Sequence, residues 1–343
     1  MYNGSGAKRG HAIALFSGGL DSALAILLIL RQNIEVTALT FMTHFGCDLG
    51  DRSSCGSNPY PTAEKFGFNV KLMHLGQKFI DIVENPRFGR GKNMNPCTDC
   101  RILMLTEGRT FMEMVNADFI ITGEVVGQRP MSQIKPKLRL IEEETGLAGR
   151  LLRPLSAKLL PPTIPERTGL VDRNLLEGIE GRSRKRQLEL AAAFGLEDYP
   201  TPAAGCLLTD VGYSNRLRDL MAHTDRLTFD ELNLLKYGRH FRLAPDAKIV
   251  VGRDEEDNRH LLALKRPQHV HLEALDTNSP VTLLAGRDRS EEILRTAAAI
   301  TARYSDAKHA AAVAVTIFEE GAAPRAISVA PAADADIQLL ILK

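Results

Sequence analysis

A short apolar strand that runs through two glycines directly into an apolar helix leaves a chain few ways to fold, and residues His11-Ala-Ile-Ala-Leu-Phe-Ser17-Gly18-Gly19-Leu-Asp21-Ser22 have that form. Ile13 to Phe16 make the continuous apolar run of a strand covered on both faces, and Ala23 to Leu30 are strongly helix-favouring. The turn between them therefore lies at a helix N-terminus, where the first N–H groups have no internal partner. Gly18 and Gly19 carry no Cβ, so the backbone there can approach an anion closely. The helix dipole adds to the attraction, and phosphate suits the place. Ser17 and Ser22 can donate further hydrogen bonds, and Asp21 can hold the Mg2+ that a polyphosphate brings with it. A merely capped strand-to-helix turn is the plain alternative. The order of strand, glycine pair, hydroxyls and helix is what an anion site requires, and no Gly-Lys-Ser/Thr signature accompanies it.

Further strands are expected at Ile34 to Phe41, Asn69 to Leu75, Phe119 to Thr122 and Leu151 to Leu155, with helices at Thr62 to Phe66, Arg101 to Val115 and Ser183 to Phe194. That alternation predicts an α/β fold, a doubly wound parallel sheet with helices on both faces. Sites on such sheets lie at the carboxyl ends of the strands, where Ser17, Thr40 to His44 and Thr122 to Gly127 would meet, and Phe41 is counted among the nucleotide contacts of that rim. From Lys248 the texture changes to short strands, at Ile249 to Val251, His260 to Leu264 and Pro280 to Leu284, and then a helix from Glu291 to Tyr304. The expected division is a nucleotide domain at 1–210, a helical connector at 211–245 and a smaller α+β module at 246–343.

With 343 residues, 44% of them apolar and 25% charged, the chain has the composition of a globular protein with room for more than one domain. Its longest apolar run, Ala23 to Leu30, is far short of a bilayer crossing, and Met1 to Gly10 show no signal-like segment, so the expectation is a cytoplasmic protein without a membrane partner. A net charge of +1 means that a polyanion would be met by local patches and not by a global field. Five cysteines without a compact framework point to reduced thiols with chemistry or metal in view.

Two other segments carry chemistry. Ile120-Ile-Thr122-Gly123-Glu124-Val-Val-Gly127-Gln128-Arg129-Pro-Met-Ser132-Gln133 delivers two glycines and several hydrogen-bonding side chains to the rim that holds Ser17. Asn95-Pro96-Cys97-Thr98-Asp99-Cys100-Arg101 is paired at long range with Ala203-Ala-Gly205-Cys206, and a Cys-x-x-Cys puts two sulfurs within reach of one metal or cluster. A zinc site would need a fourth ligand, for which His44 or His74 is available. Cys47 and Cys55, in a Gly- and Ser-rich loop, could also ligate, with a free surface or core thiol as the preferred reading.

The Ser-Gly-Gly-x-Asp-Ser turn resembles that of the PP-loop ATP pyrophosphatases. A strand ending in Thr-Gly-Glu-x-x-Gly-Gln, then Ser-Gln, then Leu152-Arg153-Pro154-Leu155, resembles the catalytic domain of the tRNA 4-thiouridine synthases and, through its cysteines, the tRNA 2-thiouridylases. The resemblance covers the first 210 residues. It implies cleavage of ATP between its α and β phosphates and transfer of AMP to a uracil carbonyl oxygen, which sulfur then replaces. It also implies that Gly123, Glu124 and Gln128 border the ATP and the target base, and that Cys100 and Cys206 are the two thiols of the reaction. One branch of these enzymes uses three cysteines to bind a 4Fe–4S cluster, and Cys97 would be the third ligand beside Cys100 and Cys206. The other mechanism carries the sulfur as a persulfide on Cys206, resolved by Cys100. Arg129-Pro130-Met131 departs from the family pattern between its Gln and its Ser.

ATP and sulfur meet for a chemical reason: a uracil oxygen is a very poor leaving group, and AMP attached to it is a much better one. The implied partners are tRNA and a sulfur donor, either a cysteine desulfurase or sulfide, with a homodimer as a further expectation. Arg87, Arg90, Lys92 and Arg101, then Arg129, Lys135, Lys137 and Arg139, then Arg182, Arg184, Lys185 and Arg186 interleave with these segments and suit RNA phosphates. Val250-Val-Gly252-Arg253-Asp254, Leu264-Lys-Arg266-Pro267 and Thr296 to Lys308 resemble the RNA-binding module of the NFACT proteins. That module would stand in for the N-terminal RNA-gripping domain of the 4-thiouridine synthases, since the turn here begins at residue 17. An ATP-dependent amide-forming ligase and a non-catalytic RNA-binding protein are the alternative readings.

Overall fold

The computed structural model describes residues 8–45, 58–129, 132–199 and 206–343, which divide into two units, Met1–Thr209 and Asp210–Lys343. In the first, β1 (His11–Leu15), β2 (Glu35–Met42), β3 (Asn69–His74), β4 (Phe119–Thr122) and β5 (Leu151–Leu152) form one sheet in the order β3-β2-β1-β4-β5, every pairing parallel. The helices are α1 (Leu20–Leu30), α2 (Tyr60–Phe66), α3 (Gly76–Glu84), α4 (Cys97–Met114), α5 (Lys135–Thr145), α6 (Ile164–Arg167) and α7 (Lys185–Phe194). The strand order runs one way from β1 to β3 and the other way through β4 and β5, so β1 and β4 flank the switch point at which such sheets bind ligands.

The core follows the sequence directly. Every residue of α1 except Asp21 is buried, because this apolar helix lies between the sheet and α7. β4 is buried along its whole length, as a central strand with both faces covered must be. β5 is shorter than the expected run to Leu155. Pro154 has no N–H for a ladder, and Arg153 turns into an ion-pair cluster beneath β4. Helices α3 and α5 were not anticipated from the sequence. α5 carries a proline in its first turn, where the missing N–H costs nothing.

The second unit holds β6 (Arg239–Ala244), β7 (Ala247–Val251), β8 (Val270–Ala274), β9 (Thr282–Gly286), β10 (Val313–Phe318) and β11 (Arg325–Val329), an antiparallel sheet in the order β11-β10-β8-β9-β7-β6. With it are α8 (Val211–His223), α9 (Phe229–Leu234), α10 (Glu255–Leu264), α11 (Glu291–Arg303) and α12 (Asp334–Leu340). α11 packs across the sheet through Ala297, Ala298 and Ile300 against Leu272 and Val315. Residues 211–245, read from sequence as a connector, supply α8, α9 and the edge strand β6. His260 to Leu264, expected as a strand, is instead the end of α10. That helix is set by its start, where the Asp254 carboxylate accepts the Asp257 N–H at 2.9 Å and Glu255, Glu256 and Asp257 fill the first turn.

His240 on β6 is 1% exposed and its Nε2 meets the Tyr237 carbonyl at 2.8 Å. Burial, reinforced by Lys248 and Arg216, holds its pKa well below the ordinary imidazole value. The unfolded chain takes up this proton near pH ~6.5 and the folded chain does not, so stability of this unit falls as pH drops below that value, by about 1.4 kcal/mol per pH unit. Hydrogen exchange of β6 amides between pH 7 and 5, corrected for intrinsic rates, reads the slope, and His240→Gln is expected to flatten it.

Candidate nucleotide and thiol site

Two loops from the switch point press against each other. Gly19 is the N-cap of α1 and no side chain caps the helix, so its first amides stay available to an anion. Gly18 sits at φ +74°, a conformation that favours glycine. Ser22 donates its hydroxyl to the Gly19 carbonyl at 2.8 Å and lies 3.3 Å from the Ser17 hydroxyl. On the neighbouring strand, a Cβ placed on Gly123 would stand 2.5 Å from the Ser22 nitrogen and 2.6 Å from the Asp21 carbonyl carbon. Only glycine permits this contact. Gln128 closes it from the other side, donating its Nε2 to Asp21 Oδ2 at 3.0 Å.

Ser17, Gly18, Gly19, Asp21, Ser22, Gly123 and Gln128 are thus brought together. Among the described residues Asp21 Oδ1 is buried without a hydrogen-bond partner, and an orphaned carboxylate oxygen beside the uncapped amides of a helix N-terminus fits a Mg2+ ion. Phe41 stays one strand over at the same carboxyl edge, two residues past Leu39, whose carbonyl accepts the Phe16 N–H at 2.8 Å.

Glu124 is placed differently from the other nucleotide-loop residues. Only 2% of its side chain is exposed, and its carboxylate meets Arg153 Nε at 3.0 Å, Thr122 Oγ1 at 3.1 Å and Arg101 Nε at 3.3 Å. Burial alone would raise its pKa, but Arg101 and Arg153 outweigh that and hold it below the ordinary carboxylate value. Arg153, itself 1% exposed, also pairs with Glu142. Removing one partner of a buried pair leaves an uncompensated charge, so Arg153→Met is expected to destabilise the first unit by about 3–5 kcal/mol. Adding Glu124→Gln should recover part of that loss, which denaturant midpoints of the single and double variants would measure.

The thiols come from α4 and from the end of the first unit. Cys97 and Cys100 open α4, one turn apart on the same helix face. Between them Asp99, 7% exposed, accepts the Arg87 and Phe88 N–H groups at 2.9 and 3.2 Å and so fixes the preceding loop. This residue was missed from sequence; its signal was a carboxylate inside a Cys-x-x-Cys. Gly91 in that loop lies against the Cys97 thiol, an added Cβ standing 3.6 Å from Sγ. Cys206 is tethered to the same loop, since Asn93 donates to the Thr209 carbonyl at 2.8 Å and the Met94 N–H to the Leu208 carbonyl at 3.0 Å. Its Sγ lies 3.8 Å from the carbonyl of Phe45, three residues past the end of β2. Burial raises the Cys97 thiol pKa against the opposing fields of Arg129 and Arg101.

The three thiols are a donor set suited to a cluster. Among the described residues, however, no group of three or more His, Cys, Asp or Glu is arranged to hold a metal, so the ligand sphere expected of Cys97, Cys100 and Cys206 is not assembled. His44 and His74 stack edge to face at 4.7 Å. Cys47, Cys55 and Gly205 lie outside the described residues.

The first unit, a doubly wound sheet with this uncapped Ser-Gly-Gly-x-Asp-Ser turn at its switch point, is similar to PP-loop domains, and an antiparallel α+β module makes up the second unit. Residues 7–158 match the family model described as thiamine biosynthesis protein (ThiI), and residues 238–341 match that of the NFACT protein RNA binding domain; the two segments are similar to those families. The chain is 28% identical over 138 residues to a bifunctional protein NifU/MnmA of Rubrobacter xylanophilus, covering 37% of this chain and 28% of that one. It is 24% identical over 190 residues to a tRNA-specific 2-thiouridylase MnmA of Chlorobaculum tepidum, covering 54% and 48%. It therefore spans less than half the length of these curated relatives. A solved 4-thiouridine synthetase–RNA complex with bound ATP aligns at 18% identity over 55% of this chain and 52% of that one with a TM-score of 0.33, too loose a superposition to carry an argument. No helix among the described residues is long and apolar enough to cross a membrane.

Proposed function

We propose that this protein is an ATP-dependent tRNA sulfurtransferase that activates a uridine carbonyl oxygen as its adenylate and replaces it with sulfur. The reading is carried by one observation: Arg101, next to Cys100 on the thiol helix, pairs with Glu124, next to the Gly123 that touches the phosphate-binding turn. The α1 amides, Ser17 and Ser22 hold phosphate oxygens, and Asp21, steadied by Gln128, is the residue that would hold Mg2+, which supplies charge neutralisation when bound. The uracil oxygen attacks the α-phosphorus in line with the departing pyrophosphate, so orientation and charge compensation carry the step. A sulfur nucleophile then attacks the ring carbon and AMP leaves.

With a persulfide on Cys206, the terminal sulfur becomes bonded to the ring. Attack of the Cys100 thiolate on Cys206 Sγ releases the thiocarbonyl and leaves a Cys100–Cys206 disulfide, which a thiol reductant must reopen. Iron and acid-labile sulfide analysis after anaerobic purification tests this persulfide route, and stoichiometric iron and sulfide would overturn it. The second unit would grip the RNA; a cysteine desulfurase would supply the sulfane sulfur of the Cys206 persulfide, whereas sulfide, already fully reduced, would attack the activated ring directly.

The test is incubation of the full chain with Mg-ATP, bulk tRNA and a cysteine desulfurase supplied with cysteine. Release of AMP and pyrophosphate with formation of a thiouridine supports the reading. Nucleotide cleavage that forms an amide, or no cleavage at all, overturns it.

A further inference from the structure

Arg101 is placed where the reaction needs a cation and the sequence signature names none. Its Nε lies 3.3 Å from Glu124 Oε1, and Glu124 is the one ion-pair partner that the described residues give it. The other Glu124 oxygen is held by Arg153 and Thr122, so the carboxylate cannot swing away. About a quarter of the Arg101 side chain, 26%, remains exposed, against 2% for Glu124. Glu124 Oε1 faces the inner edge of the guanidinium as an ion-pair partner, without a hydrogen bond among the described residues, while the terminal nitrogens, which form a two-pronged donor fork, are not engaged by that contact.

Position then selects the ligand. Arg101 is linked through Glu124 and its neighbour Gly123 to the turn read as the polyphosphate site, and along the helix it directly follows Cys100. In a reaction where pyrophosphate leaves first and sulfur expels AMP second, the group between the polyphosphate turn and the sulfur is the α-phosphate. It gains charge in the second step, and a preorganised donor aimed at developing charge is the strongest device a site of this kind has.

Resting on the nucleotide reading above, we propose that Arg101 is a catalytic residue that binds the α-phosphate of ATP and of the departing AMP, with Glu124 as the positioning residue that aims it. The shared chemistry is a phosphate oxygen, and the tRNA backbone is the competing source.

The test measures binding of ATP, AMP and adenosine to the full chain by calorimetry, together with tRNA affinity, for the wild type, Arg101→Ala and Arg101→Lys. The expected result is a loss of about 10- to 100-fold in AMP and ATP affinity for Arg101→Ala, no change for adenosine, and an intermediate loss for Arg101→Lys, which keeps the charge without the fork. Millimolar guanidinium should restore pyrophosphate release to Arg101→Ala, a rescue that a purely structural role would not give. Glu124→Gln should lower kcat for pyrophosphate release with a smaller change in AMP affinity. Arg101→Ala that binds AMP as the wild type does, that loses adenosine and AMP equally, or that weakens tRNA alone overturns the proposal while leaving the function reading intact. A wild type that binds no adenine nucleotide overturns both.

Discussion

Cys206→Ser should abolish thiouridine formation while ATP is still cleaved in the presence of tRNA. Serine keeps the size of the side chain but is neither a sulfur carrier nor an effective soft-metal ligand, and loss of a nucleophile costs an enzyme about 10³-fold or more. Cys206 is far in sequence from the turn and its thiol meets the Phe45 carbonyl, while the residues read as holding phosphate are those of Ser17 to Ser22, so adenylation should survive the change. The variant should release AMP and pyrophosphate by hydrolysis of the activated base, with no thionucleoside formed. Cys100→Ser should share that phenotype. Nucleoside analysis of the tRNA beside a pyrophosphate assay measures both halves at once. Retained thiolation in either variant would remove these thiols from the mechanism, and an amide-forming ligase would be indifferent to both changes.

Gly123→Ala is expected to act on the other half of the reaction. The added methyl would stand 2.5–2.6 Å from three backbone atoms of Asp21 and Ser22, none of which can rotate aside as a side chain would. The first turn of α1 must move, carrying with it Asp21 and the amides that receive phosphate. Overpacking of this sort costs roughly 1–3 kcal/mol of stability, and a displacement near 1 Å in a positioning element costs about 10²-fold in rate. Pyrophosphate release should fall by at least that factor, and the midpoint of thermal unfolding of the first unit should fall with it. Tight nucleotide binding retained in a folded Gly123→Ala protein would show that ATP is not held at this turn.

How much of this was legible in the sequence depends on how local the determining forces are. The Ser17 to Ser22 turn could be read because its neighbours in sequence, an apolar strand and an apolar helix, force its geometry. The doubly wound sheet followed for the same reason. The orientation of Glu124 could not be read: it is decided by Arg153, 29 residues later, and by Arg101, 23 residues earlier. The tether of Cys206 to the Asn93–Met94 turn was equally hidden, since backbone carbonyls at Leu208 and Thr209 have no signature in residue type. In the second unit, the short apolar run before Leu264 looked like a strand, and a cap one turn upstream of the helical segment decided otherwise. The ligand sphere expected of Cys97, Cys100 and Cys206 is not assembled among the described residues, because it depends on side-chain geometry that spacing alone does not fix.

The central claim is that the phosphate-binding turn and the thiols face one cavity. Alkylation of the full chain under reducing, metal-free conditions, with Cys97, Cys100 and Cys206 quantified separately by mass spectrometry, tests it most directly when run with and without a saturating Mg-ATP analogue that resists cleavage between the α and β phosphates. All three thiols are partly exposed and should react in the free protein, and bound nucleotide should slow the α4 pair most, through Arg101 and the Gly123 loop, and Cys206 with them. Unchanged rates at all three, with the nucleotide demonstrably bound, would place ATP and sulfur in separate sites and contradict the account.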